Sequence, residues 1–394
     1  MDNKQQLFSM PDDAKLTLLA DLIAFQSVND HELKVAQYLQ QLLQQHQIKS
    51  KLLLITPTRA NLVAEIGSGQ PVIGLSGHMD VVAANDRQHW QTDPFKLTEK
   101  AGKLYGRGTA DMKSGLAAMV TALIELKENQ LPQQGTIRLL ATVGEEVGGL
   151  GSAAFAEQHY TEDLSALIIG EPSAHDIIYA HRGSMDIRLT SQGEAAHSSM
   201  PEKGFNALHP LLEVLTQAKH HFDAVTITNN SLGKPTYNAT ILNAGDQVNT
   251  IPDQAIAEVN IRTIPEYTNE TVTALFTKLV QAQNRQGALL HLDVYMSEIP
   301  IVKQADNSLT KIARETAQKI LTIAYQPQAS VGVTDASNLL KSHPEPDFPF
   351  IMFGPGDYRL AHKDNEYVEK ATYLAFSTVY RELLVAYLAQ KNTD

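Results

Sequence analysis

The chain has 394 residues, 43% hydrophobic and 19% charged, with a formal net charge of −12 and no cysteine. An excess of acid on this scale excludes a general attraction for nucleic acid or an anionic membrane surface and points to a small molecule or peptide as ligand. Without cysteine there are no disulfides, thiolate metal sites, iron–sulfur clusters or cysteine nucleophile, so any transition metal must be held by histidines and carboxylates.

At roughly 150 residues per domain, the length predicts two or three domains. The first thirteen residues lack a basic region followed by an apolar one. No stretch approaches the ~20 apolar residues of a membrane span, and the expected location is the cytoplasm. Ser9 ahead of Pro11, Asp12 and Asp13 signals a helix start, with Leu16, Leu19, Leu22 and Ile23 as its apolar stripe. A second helix is expected from about 32 to 46, with Val35, Leu39, Leu42 and Leu43 on one face. Short apolar runs follow at 52–55, 62–66 and 72–75, and nearly continuous ones at 137–143, 166–169 and 350–353. Continuous runs of this length predict strands buried on both faces of a parallel or mixed sheet, covered here by helices near 113–127, 307–323 and 369–389.

Between 182 and 296 the texture changes. Met185, Ile187 and Leu189 alternate with Asp186, Arg188 and Thr190, and Ile256, Ala257, Val259 and Ile261 sit among Glu258, Asn260 and Arg262. Alternation marks strands with one wet face. The order is strand (185–191), helix (206–219), strand (236–244), strand (256–263), helix (269–284), strand (289–296), the βαββαβ ferredoxin-like arrangement. The expected organisation is an α/β domain of residues 1–181 and 294–394, with a mixed sheet covered by helices, into which a domain of residues 182–293 is inserted.

Chemistry collects where the apolar runs end. Residues 72–75 lead into Ser76-Gly77-His78-Met79-Asp80, residues 137–143 into Gly144-Glu145-Glu146, residues 166–169 into Gly170-Glu171-Pro172, and residues 350–353 through Gly354-Pro355-Gly356 towards His362. Ligands of open α/β sheets bind at the carboxyl ends of the strands. In a strand, His78 and Asp80 would point the same way, so Asp80 could accept the second ring N–H of a metal-bound His78. Asp111 lies in a loop, 106–111, entering a helix. Glu145 and Glu146 are adjacent carboxylates that repel unless cations hold them; one can be a ligand and the other a base. Singly, Asp80 or Asp111 would be read as a turn or cap residue. His46, His89 and His159 read as surface residues, and His220-His221 as a helix C-terminal feature.

The segments GHMDVV (77–82), GRGTADMKSG (106–115), GEEVGG (144–149), IGEP (169–172) and AHKDNE (361–366) resemble, in order and across essentially the whole chain, the M20 metallopeptidase and deacylase family. That family includes succinyl-diaminopimelate desuccinylase, acetylornithine deacetylase, aminoacylase and carboxypeptidase G-type enzymes. The resemblance implies two zinc ions per subunit, with Co²⁺ or Mn²⁺ as alternatives. His78 and Glu171 would hold one, Glu146 and His362 the other, and Asp111 would bridge them. It implies Glu145 as general base and Asp80 as the carboxylate supporting His78. The inserted domain would be a lid that makes a homodimer, with His197 entering the partner subunit's site and Asn249 and Arg262 binding substrate. Arg182 and Thr334 are looser carry-overs to substrate contacts. Ser114 stands where the family often has glycine, and residues 330–336 follow the family's Gly/Thr/Asp loop only loosely. Glu171 in the IGEP segment matches the deacylase and carboxypeptidase branch, since dipeptidase and tripeptidase relatives usually carry aspartate there. The implied activity is metal-dependent removal of an N-acyl group from a small N-acyl amino acid. It is closest to succinyl-diaminopimelate desuccinylase, with acetylornithine deacetylase or a carboxypeptidase-like enzyme next; a mononuclear hydrolase and an inactive binding protein on the same fold are further readings.

Overall fold

The computed structural model describes residues 7–391. The chain forms two compact units, one comprising the segments up to Tyr179, Lys303–Gln328 and from Thr334 onward, the other Ala180–Val302 with Ala329–Val333. Among the described residues no helix is long and apolar enough to cross a membrane.

The first unit is built on a mixed sheet. Its strands lie in the order Lys49–Thr56, Arg59–Ser68, Gly135–Thr142, Val72–His78, Leu164–Ile169, Phe350–Met352 and the first part of Asp176–His181, residues 176–179. Val72–His78 pairs parallel with Gly135–Thr142 and Leu164–Ile169, and Leu164–Ile169 pairs parallel with Phe350–Met352. Antiparallel strands flank this parallel centre. The continuous apolar runs are the parallel strands, and every residue of Val72–His78 is buried. Helix Lys113–Glu128, buried from Lys113 to Leu126, packs against Lys370–Lys391 and against two of the central strands. Asp12–Ala24 packs on the same two helices, and Leu33–Gln45 covers the antiparallel edge.

Local signals account for most of these boundaries. Asn307 caps Ser308–Leu321 by accepting the Thr310 amide at 3.0 Å. Ser9 behaves differently from the expectation. The helix Asp12–Ala24 starts without a side-chain cap, and the Ser9 hydroxyl instead donates to Glu125 at 3.0 Å. Glu125 is a buried carboxylate with Arg381 at 2.7 Å, and it draws Ser9 away from the helix end. A three-stranded sheet of Thr98–Lys100, Lys103–Tyr105 and Tyr367–Glu369 adds to the expected elements.

The second unit has the order Gly183–Gln192, Leu208–Ala224, Thr236–Ala244, Gln254–Thr263, Asn269–Asn284 and Leu289–Glu298, strand–helix–strand–strand–helix–strand. All pairings are antiparallel, and the sheet order is Thr236–Ala244, Gln254–Thr263, Gly183–Gln192, Leu289–Glu298. Met185, Ile187, Leu189, Ala257, Val259 and Ile261 form the covered face, as the alternation requires. The last strand runs past residue 293 because its register with Gly183–Gln192 continues to Glu298 opposite Ser184. The unit accordingly extends to Val302.

Candidate metal centre

Three parallel neighbours, Gly135–Thr142, Val72–His78 and Leu164–Ile169, end on one edge of the first unit's sheet, and each delivers a polar side chain there. His78 is the last residue of its strand. Glu145 and Glu146 follow Gly144, whose φ of +69° is a left-handed backbone that strains a residue with a Cβ. Glu171 follows Gly170, whose carbonyl lies so close to Gly115 that a Cβ there would collide with it. That close approach brings the start of helix Lys113–Glu128, and hence Asp111, beside Glu171. His362 adopts a left-handed backbone, φ +63°, rare for a residue with a Cβ and characteristic of functional sites.

These side chains converge. His78 Nε2 lies 3.0 Å from Asp111 Oδ1 and 3.6 Å from Glu171 Oε1. His362 Nε2 lies 3.4 Å from Asp111 Oδ2 and 2.9 Å from Glu146 Oε2. The two oxygens of Asp111 thus face different imidazoles. Donor atoms of His78, Glu145 and Glu171 fall within 4.8 Å of one another, as do those of His78, Asp111 and Glu146. A tetrahedral ion with bonds of ~2.0–2.2 Å separates its donors by roughly 3.3–3.6 Å, close to the spacings found.

Asp80 has a different task from the expected one. The strand ends at His78, so strand alternation no longer aligns the two side chains. His78 Nδ1 donates to the Asp80 backbone carbonyl at 3.0 Å, with the carboxylate at 3.7 Å. This bond leaves Nε2 free to coordinate in the neutral ring. The Asp80 carboxylate instead accepts the amides of Glu145 at 3.3 Å and Glu146 at 3.1 Å, and so holds the carboxylate pair in place.

The electrostatics favour a cation. Loss of water, reinforced by neighbouring carboxylates, holds Glu145 and Glu171 well above the ordinary range and raises Glu146. Burial alone would raise Asp111, but the imidazoles of His362 and His78 override it and lower it. Burial would lower His78, but Glu171, Asp111 and Asp80 push it well above its usual value. His362 is pushed up to about 10 by Asp111 and Glu146. Glu146 Oε1 is buried with no hydrogen-bond partner. A cluster of acids with an orphaned oxygen and two histidines fits divalent ions held by nitrogen and oxygen.

Residues not expected from the sequence brace this edge. Asn61, fully buried, accepts the Val143 amide at 3.1 Å and donates to the Gly151 carbonyl at 2.7 Å, spanning the Glu145–Glu146 loop. Asp335, also buried, accepts the Thr142 hydroxyl at 2.6 Å, and Asn338 donates to Gly149 at 3.3 Å. Asn61 directly precedes the apolar run at 62–66, and nothing in that local pattern marks its role. Thr334 is itself buried, and its hydroxyl accepts the Ala336 amide at 3.3 Å.

The other expected residues belong to the second unit. His197 is exposed, and its Nδ1 accepts the Ser199 amide at 3.2 Å, which places the proton of the neutral ring on Nε2. Asn249 is exposed beside it, its carbonyl accepting the Ser198 amide at 2.9 Å. Arg182 donates through Nε and Nη2 to the Leu232 carbonyl, at 2.9 and 2.6 Å. Arg262 is partly buried, and desolvation lowers its pKa despite Asp186 and Glu298.

Residues 74–386 match the peptidase family M20/M25/M40. Over 95% of this chain and 98% of the relative, the sequence is 42% identical to a probable succinyl-diaminopimelate desuccinylase of Staphylococcus epidermidis. It is 31% identical to an acetylornithine deacetylase of Proteus mirabilis over 84% of this chain and 82% of that one. Among solved structures, an M20 family metallo-carboxypeptidase of Sulfolobus solfataricus superposes with a TM-score of 0.79 at 18% identity, covering 95% of this chain and 99% of that chain.

Proposed function

The chain belongs to peptidase family M20/M25/M40, hydrolases of amide bonds, and from that premise we propose that it removes the acyl group from an N-acyl amino acid, N-succinyl-LL-2,6-diaminopimelate above all. The observation that carries the reading is the paired geometry at the sheet edge, with Asp111 between two imidazoles and Glu145 adjoining His78 and Glu171. His78 and Glu171 would hold one zinc ion, Glu146 and His362 a second, and Asp111 both; Co²⁺ or Mn²⁺ suits the same donors. When bound, such ions polarise a carbonyl and lower the pKa of water.

The chain's own groups do the rest. Glu145 takes a proton from the attacking water and returns it to the departing amine. Asp80 keeps Glu145 in reach through its backbone amide. His197 of the partner subunit offers Nε2–H to the developing oxyanion, a contact worth about 3–4 kcal/mol in comparable sites. Arg262, with Asn249 and Arg182, accounts for a substrate carboxylate, for which a guanidinium is the natural bidentate partner. The second unit would serve as lid and as the dimerising surface, in a cytoplasmic enzyme of diaminopimelate and lysine biosynthesis.

The 42% identity to a probable desuccinylase favours the succinyl substrate over the acetyl one of the 31% identical relative. An inactive binding protein would have no need of Glu145. Hydrolysis of N-succinyl-diaminopimelate, N-acetylornithine, simple N-acyl amino acids and a carboxypeptidase substrate by zinc- and cobalt-loaded enzyme tests the proposal. The highest kcat/KM is expected with the succinyl compound; a higher value with any other would replace it.

A further inference from the structure

Arg107 and Glu366 are each only 1% exposed, and they meet as an ion pair with Nη1 2.6 Å from Oε2. A buried pair of charges is costly unless its remaining polar atoms are satisfied. Here most of the satisfying groups are backbone atoms of two ligand-bearing loops. The Glu366 carboxylate accepts the amide of Gly108 at 3.1 Å on one oxygen and those of Ala110 and Asp111 at 2.7 and 3.0 Å on the other. Arg107 in turn donates to the carbonyls of Lys363 and Ala83, both at 3.2 Å, and its guanidinium lies 5.2 Å from the Trp90 ring. Its Nε has no partner.

The arrangement is reciprocal. Glu366 follows His362 in sequence and grips the loop of Asp111; Arg107 precedes Asp111 and grips the loop of His362. Each loop contributes one candidate ligand and one half of the pair. Asp111 can face both imidazoles only if its backbone is held, and the last amide gripped by Glu366 is its own. His78, by contrast, sits on a strand end inside the sheet, while His362 is on a loop with its side chain 54% exposed.

We propose that the Arg107–Glu366 pair is a positioning device that locks the Asp111 and His362 loops together, so that retention of the ion on the His362 side depends on it. The inference rests on the two-ion reading above. Loss of the pair frees the loop ligand first and leaves the strand-end ligands in place.

Metal-free enzyme titrated with Co²⁺, followed by calorimetry and by the visible absorption of bound cobalt, provides the test. The wild type is expected to take up two equivalents. In Glu366→Gln the second equivalent should weaken by about tenfold or more, the usual consequence of disturbing a ligand's support, while the first, held also by His78 and Glu171 at strand ends, weakens less. The cobalt absorption of the second step should shift, and kcat should fall at limiting cobalt and recover as cobalt is raised, with KM unchanged. A purely structural role would lower thermal stability without separating the two equivalents. If circular dichroism shows Glu366→Gln unfolded, Arg107→Lys decides by the same criteria, since lysine keeps the charge but not the fork that reaches two carbonyls. Unchanged affinity for both equivalents, or equal weakening of both, would overturn the proposal. Uptake of fewer than two equivalents by the wild type would overturn the two-ion reading itself, and that result precedes any variant.

Discussion

Glu145 is the residue whose role separates a hydrolase from a mere metal-binding fold. It adjoins His78 and Glu171, and its backbone amide is fixed by Asp80. Glutamine at 145 preserves size and that backbone bond but cannot accept a proton from water. Glu145→Gln is therefore expected to lower kcat by about 10²–10⁴, the typical worth of a general base, with metal content unchanged by elemental analysis. A fall of less than about tenfold would remove Glu145 as the base, and loss of metal would make it a ligand. Asp80 shows where residue-level reading of the sequence ran out. Its identity and place beside His78 were legible, but the recipient of its carboxylate was not. That depends on the chain turning after His78, which hands the ring N–H to a carbonyl and frees the carboxylate for two amides.

Elements were legible in proportion to their periodicity. The continuous apolar runs became the parallel strands, and the alternating ones became the antiparallel sheet of the second unit. The three-residue strands near Tyr105 and Tyr367 carry too few positions for any period to show. Asn61 was also silent, because its bonds to Val143 and Gly151 join segments more than eighty residues away. It is nevertheless what ties the strand Arg59–Ser68 to the loop of Glu145 and Glu146. Asn61→Ala strands one buried amide and one buried carbonyl at ~1–3 kcal/mol each, giving an expected loss of about 2–6 kcal/mol. Urea unfolding should show a lower midpoint, and kcat should fall with the loosened loop. A change below about 0.5 kcal/mol, the range of an ordinary surface substitution, would show that the loop holds itself.

At the scale of the whole molecule, one chain is not expected to make a complete site. In the second unit the strand Thr236–Ala244 lies at the sheet edge, and Ile241 and Leu242 are 44% and 48% exposed. An exposed edge with apolar side chains calls for a partner, and a second copy is expected to supply it. Light scattering at micromolar concentration should give twice the 43.3 kDa of the chain. His197 makes the dimer functional if its Nε2–H serves the partner's oxyanion. His197→Ala should then cost about 10²–10³ in kcat while metal binding and dimerisation persist. Mixing His197→Ala with Glu145→Gln and allowing subunits to exchange discriminates the two arrangements. If His197 acts across the interface, a mixed dimer collects both defects in one site and leaves the other intact, so activity returns towards half that of the wild type per mixed dimer. If His197 acts within its own chain, every site keeps one defect and the mixture stays inactive. Exchange is verified separately with differently tagged chains, so silence after confirmed exchange would rule out the shared site and leave His197 to its own subunit.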